Sequence, residues 1–251
     1  MLPRILIAAA SLSLLGTRAE PLRYRIEVKS EQQMDMSAMG QGNMNIAISS
    51  TAWVAITSRD SAGTTLLHVI IDSAVIDAGE LAAQMPPEML NIAKGTAIDL
   101  AIVAGKMQVP NPEAIGTSPG MSLIVAGVNM LYPNARTGVK LGDAWVDTTT
   151  SDTTSAMGKG KTSQIRKWKA SSTDGDALVL DIEFTGTMTM DGAMASIAAT
   201  SSGTSQYTMP PKGAARKASN ETKSDMKMMI AAAGSEVHAI GTTKINVVPL
   251  P

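Results

Sequence analysis

Leu22-Arg23-Tyr24-Arg25-Ile26-Glu27-Val28-Lys29 puts an apolar residue at every even position and a charged one at every odd position. Successive side chains of a strand point to opposite faces, so a period of two predicts a strand with one apolar and one solvated face. The same reading extends outward. Met44, Ile46 and Ile48 alternate with Asn43, Asn45 and Ala47, and Leu178, Leu180, Ile182 and Phe184 alternate with Val179, Asp181, Glu183 and Thr185. Ser235 to Val248 again reads as extended, and turn residues at Asp60-Ser61-Ala62-Gly63 and Asp174-Gly175 separate strands. Leu66 to Ile71 is apolar apart from His68, the pattern of a strand covered on both sides.

Helical spacing occurs only in the first half. Asp77 and Glu80 have capping-box spacing, and Leu81, Met85, Met89 and Ile92 fall on one face, with Pro86-Pro87 dividing the stretch and Gly95 ending it. A second helix is predicted from Pro119 to Tyr132, with Ser118 as N-cap, Pro119 at the first helical position and Pro133 as the stop. Its Met121, Leu123, Ile124, Val125, Val128 and Leu131 are too few to cross a bilayer and too apolar to lie bare in water. With Gly120 and Gly127 weakening it internally, it reads either as a movable cover over an apolar face or as a fixed core helix.

The two halves are related. Ser37-Ala38-Met39-Gly40-Gln41-Gly42 recurs as Ser155-Ala156-Met157-Gly158-Lys159-Gly160, and Trp53 answers to Trp168, Gly63-Thr64 to Gly175-Asp176 and Gly95-Thr96 to Gly203-Thr204. We read residues 20–251 as one domain made of two copies, about 20–140 and 141–251. The fold class that follows is mainly β: a curved antiparallel sheet or half-barrel built from two related copies, with two or three short covering helices.

Composition narrows the function. The chain has 251 residues, 44% hydrophobic and 17% charged, with no Cys, which excludes a disordered tail, a disulfide scaffold and a thiolate metal site. Residues 1–19 have a positive n-region at Arg4, an apolar run from Ile5 to Leu15 and a small-x-small site ending at Ala19, so they read as a secretory leader cleaved before Glu20. The product is expected to be soluble and exported, periplasmic or extracellular. Its formal charge, −1 for the whole chain, becomes more negative when Arg4 and Arg18 leave, so nothing attracts nucleic acid. There are 18 Met against one Phe, which predicts an adaptable interior filled by thioethers in place of rings.

The Tyr24-x-Ile26-x-Val28 strand, the Met-rich turns and Gly142-Asp143-Ala144-Trp145 at the start of the second copy resemble a domain-of-unknown-function family of secreted bacterial β-rich proteins. That resemblance brings no activity and no site residues. In plan, a curved sheet with short apolar helices is similar to the half-barrel carriers that ferry lipoproteins across the periplasm, an analogy of architecture.

Several motifs invite sharper readings. Gly116-Thr117-Ser118-Pro119-Gly120 fits the nucleophile elbow of a serine hydrolase, with His238 downstream, but Pro119 has no N–H to give an oxyanion hole. Gly160-Lys161-Thr162 ends like a phosphate-binding loop, yet Thr162 to Ala170 alternates as a strand instead of opening a helix. His68 and His238 have no metal-ligand spacing around them. Met34-x-Met36, Met188-x-Met190 and Met226-x-Met228 each set two thioethers on one strand face, which suits Cu(I). Lys159, Lys161, Arg166, Lys167 and Lys169 around Trp168 could touch anionic lipid headgroups. The reading we carry forward is a non-enzymatic envelope protein without a cofactor, holding a lipid or other apolar ligand, or a hydrophobic partner segment, on a Met-rich concave face. Met121, Leu123, Ile124, Val128, Met188 and Met190 are its expected ligand-binding residues. The alternatives are a Cu(I) protein using Met34, Met36, Met188, Met190, Met226 and Met228, and the hydrolase.

Overall fold

The computed structural model describes residues 20–61, 63–110, 118–155, 158–193, 195–231 and 234–251. The predicted leader, Gly116-Thr117 of the elbow and Ala156-Met157 of the repeat lie outside them. The strands are β1 (Leu22–Asp35), β2 (Asn43–Ser61), β3 (Thr64–Asp77), β4 (Thr96–Val103), β5 (Lys106–Gln108), β6 (Ala144–Ser155), β7 (Gly158–Asp174), β8 (Ala177–Asp191), β9 (Ala195–Met209), β10 (Lys217–Ile230) and β11 (Ser235–Pro249). They form one antiparallel sheet in the order β5-β4-β3-β2-β1-β11-β10-β9-β8-β7-β6. It curls into a half-barrel without closing.

The first and last strands meet in the middle of the sheet. β1 pairs with β11 from Tyr24↔Pro249 to Asp35↔His238, and with β2 from Leu22↔Ile56 to Asp35↔Asn43. Both neighbours keep the even residues of β1 on the inner face. There Tyr24, Ile26 and Val28 are buried, while Arg25 and Glu27 outside form an ion pair at 3.2 Å.

The helical segments fall where the spacing predicts them and are short. Residues around 77–92 form a 3-10 stretch, Gly79–Gln84, and the single turn α1 (Pro87–Leu90). The Pro86-Pro87 break removes the hydrogen bonds a longer helix would need. Asp77 accepts a bond from the Gly79 N–H at 2.9 Å instead of completing a capping box. The predicted second helix is α2 (Pro119–Met130), with extended Ser118 as its N-cap and Pro119 at its first position. It lies on the inner face across β1, β2 and β11. Two glycines set how close it comes: a Cβ on Gly127 would collide with Ile26, and one on Gly120 with Ile76.

The core between α2 and the sheet is aliphatic. Met121, Ile124, Val128 and Leu131 from the helix side meet Ile26, Val28, Val54, Val69, Ile71, Leu100 and Val247, with Trp168 and Tyr207 closing one flank. This overturns the expectation of a thioether-filled interior, because Met121 is the only buried methionine among the described residues. β-branched and Leu side chains on a pleated surface fill the volume with fewer rotamers to freeze. The reading of Leu66 to Ile71 as covered on both sides is likewise corrected: Leu67, Val69 and Ile71 are buried, but Leu66 and Ile70 are 39% and 36% exposed on the outer face.

The two tryptophans that the repeat aligns face opposite ways. Trp168 pairs with Ile182 on the inner face, whereas Trp53 pairs with Arg25 on the outer face, beside a bulge at Trp53/Val54.

Candidate functional site: the inner trough

Antiparallel partners share a face, so the register divides the inner surface into levels. The level nearest α2 holds Trp145, Trp168 and Ile182. The next runs Asp147, Arg166, Phe184, Gly203, Thr222, Thr243 and Ser30 across seven strands. Below it come Gln164, Gly186, Ser201, Ser224 and Gly241, small enough for the sheet to curl: a Cβ on Gly186 would stand 2.8 Å from Ser201 Oγ. The level after that carries Met188, Ala199, Met226, Ala239, Met34 and Met44. Met190, Ile197, Met228 and Val237 make the last.

α2 covers only the first part of this surface. Between its Ala126, Asn129 and Met130 and the inner faces of β7, β8 and β9 lies a cavity of about 620 Å³, whose floor includes Ile182, Phe184, Tyr207 and Ile245. A second hollow of about 330 Å³ continues from it over Gln164, Gly186 and Ser201 to Met188 and Ala199. Together they form one trough of a size that suits a small ligand. Grooves of about 720 and 750 Å³ also cross the outer face of the sheet, lined by charges and hydroxyls of both signs such as Lys167, Glu183, Lys223 and Asp225.

One polar assembly stands in the trough wall. Arg166 donates from Nε and Nη2 to the two oxygens of Asp147 at 2.8 and 3.2 Å, and Trp168 Nε1 donates to the same carboxylate at 2.9 Å. Trp145 stacks on Trp168 at 5.2 Å with 9° between the rings. Arg166 lies over Trp168 and Arg136 over Trp145. Tyr207 donates its hydroxyl to Met130 Sδ at 3.6 Å, tying the helix end to β9. Burial raises the hydroxyls of Tyr132 and Tyr207 above the usual tyrosine range, Tyr132 strongly, so neither ionises near neutral pH.

The expected ligand-binding residues separate into two groups. Met121, Ile124 and Val128 are 6% or less exposed, and with Leu123 they belong to the packing between α2 and the sheet. Met188 lines the far hollow and Met190 lies on the same face two residues on. Of the residues that face the cavity, Phe184, Tyr207, Ala126 and Met130 were not singled out from the sequence as site residues, and Arg166 entered only as part of the basic run around Trp168. Arg166 and Trp168, and Trp145 and Asp147, are two apart and so share a face, a signal obscured by the run of lysines around them.

The other motifs acquire structural explanations. Gly160, Lys161 and Thr162 lie within β7, so no helix N-terminus faces them. Ser118 precedes α2 on the inner side, whereas His238 is on the outer face and bonds Asp225 at 2.9 Å. His68 meets Asp99 across the strand pair at 2.7 Å. Among the basic run, Lys159, Lys161, Lys167 and Lys169 stand opposite Asp191, Asp152, Glu183 and Asp181, so acids offset that stripe. Among the described residues no three His, Asp or Glu side chains cluster to hold a metal, and no helix is long and apolar enough to cross a membrane.

No family model and no curated protein matches the chain. Solved structures similar to it include one of lipid–protein interactions in lipovitellin, at TM-score 0.46 and 9% identity, covering 92% of this chain and 25% of that one. Another is DynF from the dynemicin biosynthesis pathway of Micromonospora chersina, at TM-score 0.22 and 9% identity, covering 92% and 82%. The chain thus spans about a quarter of the lipovitellin chain.

Proposed function

We propose that this is a non-enzymatic, exported envelope protein that holds the apolar chain of a lipid, or a hydrophobic partner segment, in the inner trough. The observation that carries this reading is the uncovered continuation of the inner face past the end of α2, as a cavity floored in part by Ile182, Phe184 and Ile245 and an adjoining hollow that passes over Gln164, Gly186 and Ser201 to Met188 and Ala199. A sheet face that curls into a trough and keeps thioethers along its floor offers an adaptable surface to a flexible chain. The leader features of residues 1–19 supply the export. Expression from the full sequence, followed by intact mass and solvent extraction of the purified protein, tests both parts. We expect a chain beginning at Glu20 and an extracted lipid at near-stoichiometric amount. A chain beginning at Met1 contradicts export, and an empty extract together with no uptake of added lipid contradicts carriage.

The register favours one second reading. Met34 and Met44 are direct cross-strand partners, and Met188 and Met226 occupy the same level, which gathers thioethers of the kind that select Cu(I). Met188 and Met226 are nevertheless separated by Ala199, a gap of about 10 Å between strands, so packing against an apolar chain is the simpler role.

A further inference from the structure

The cavity beside α2 is not uniformly apolar: the charged residues that line it are basic, one of them paired with Asp147 in the wall. Among the described residues, Lys106 and Arg166 are the only charged ones lining it. Thr222 and Asn220 already donate to Asn220 Oδ1 and Ser205 Oγ, and Thr149 and Gln164, one level from Arg166 in the register, add groups able to donate hydrogen bonds. An uncharged hydrocarbon would leave these donors facing it without acceptors, which costs free energy in proportion to how well water is excluded.

We infer that the trough selects a single-chain amphiphile with an anionic head, a long-chain carboxylate, whose head meets Arg166 and Lys106 while its tail runs toward Met188. This inference rests on the apolar-chain reading above and sharpens it. Asp147 takes the Nε and one Nη2 donor of Arg166, leaving the Nη1–Nη2 edge for a second carboxylate in the parallel geometry a guanidinium favours. Because Asp147 offsets the charge of Arg166, Lys106 supplies the excess positive charge of the mouth. Tyr132 and Tyr207, kept neutral by burial, do not oppose an anion there. From Phe184 to Met188 the floor extends about 13 Å along β8, which a single alkyl chain can follow. The size of the cavity falls within the range of small-molecule sites, which favours one chain over a macromolecular partner.

The test titrates the processed protein with palmitate and with hexadecanol below their aggregation limits, following Trp fluorescence. We expect palmitate to bind at least about tenfold more tightly than the alcohol, with a preference that shrinks at high salt. Lys106→Gln should weaken palmitate several-fold and leave hexadecanol unchanged. Arg166→Gln should do the same where circular dichroism shows it folded; Lys106→Gln keeps the test decisive where it does not. Equal affinity for acid and alcohol overturns the anionic head while leaving the apolar-chain reading intact. Displacement of palmitate by equimolar acetate or phosphate overturns the amphiphile in favour of a free-anion site. Binding of neither probe overturns both readings.

Discussion

Asp147 is the residue on which the trough wall turns. It accepts two bonds from Arg166 and one from Trp168, and Arg166 keeps only 18% of its side chain exposed. Gly127 is the corresponding position under the helix. Replacing it by Ala would raise helix propensity by up to ~1 kcal/mol, yet the new methyl collides with Ile26, and overpacking costs ~1–3 kcal/mol. The steric term wins. Gly127→Ala should lower the melting temperature by a few degrees in a scanning experiment; an unchanged or higher Tm would show that α2 is not seated on Ile26. Met188 and Met190 present the opposite case, on the trough floor instead of in the core. Their replacement by Leu keeps volume and should cost under ~1.5 kcal/mol each in urea unfolding. Tight Cu(I) binding that is lost in that double variant would favour the metal reading.

The tyrosines make a pH prediction. Burial raises Tyr24, Tyr132 and Tyr207, which are all the tyrosines of the chain. A group whose folded pKa lies above its unfolded value contributes stability that is present below the unfolded pKa, here ~10, and lost as pH rises above it. Ultraviolet titration should therefore show no tyrosinate until the protein unfolds at alkaline pH, and then abrupt ionisation. A smooth titration near the ordinary value with the fold intact would contradict the burial of these rings.

At the scale of elements, α2 carries the sharpest question. Its composition suggests a cover that opens, but the structure seats it through Gly120 and Gly127 and buries Met121, Ile124, Val128 and Leu131 beneath it. The carbonyl of Leu131 also accepts a bond from the Ala215 N–H at 2.7 Å, pinning the helix end to the loop before β10. We expect amides of Leu123 to Val128 to exchange as slowly as those of Leu67 to Ile71, with ligand entering beside the helix. Much faster exchange in α2 that slows on adding lipid would restore the lid. The alternation in β1, β2 and β8, the end of α2 near Pro133 and the turn at Asp174-Gly175 were legible in the sequence because each depends on local chemistry. The trough was not. It arises where β7, β8 and β9 curl past the end of α2, and a cavity of this kind is set by distances that no local pattern encodes.

For the molecule as a whole, the pairing of β1 with β11 decides the shape. It joins the first and last strands at the sheet centre and leaves β5 and β6 as the outer edges, with α2, which lies between those two strands in sequence, packed on the inner face. The duplicated hairpin turn hinted at two similar halves but said nothing of that central seam, because register between distant strands is fixed only when both are folded. α2 makes the half-barrel a covered trough at one end and an open one at the other. The most direct test of that account places bulk on the trough floor at Ser201, between Gly186 and Ser224. Uptake of a fluorescent long-chain fatty acid should occur at one site per native chain and be abolished in Ser201→Trp, whose circular dichroism remains native. Equal binding by the native protein and the folded Ser201→Trp variant would contradict the inner trough as the site.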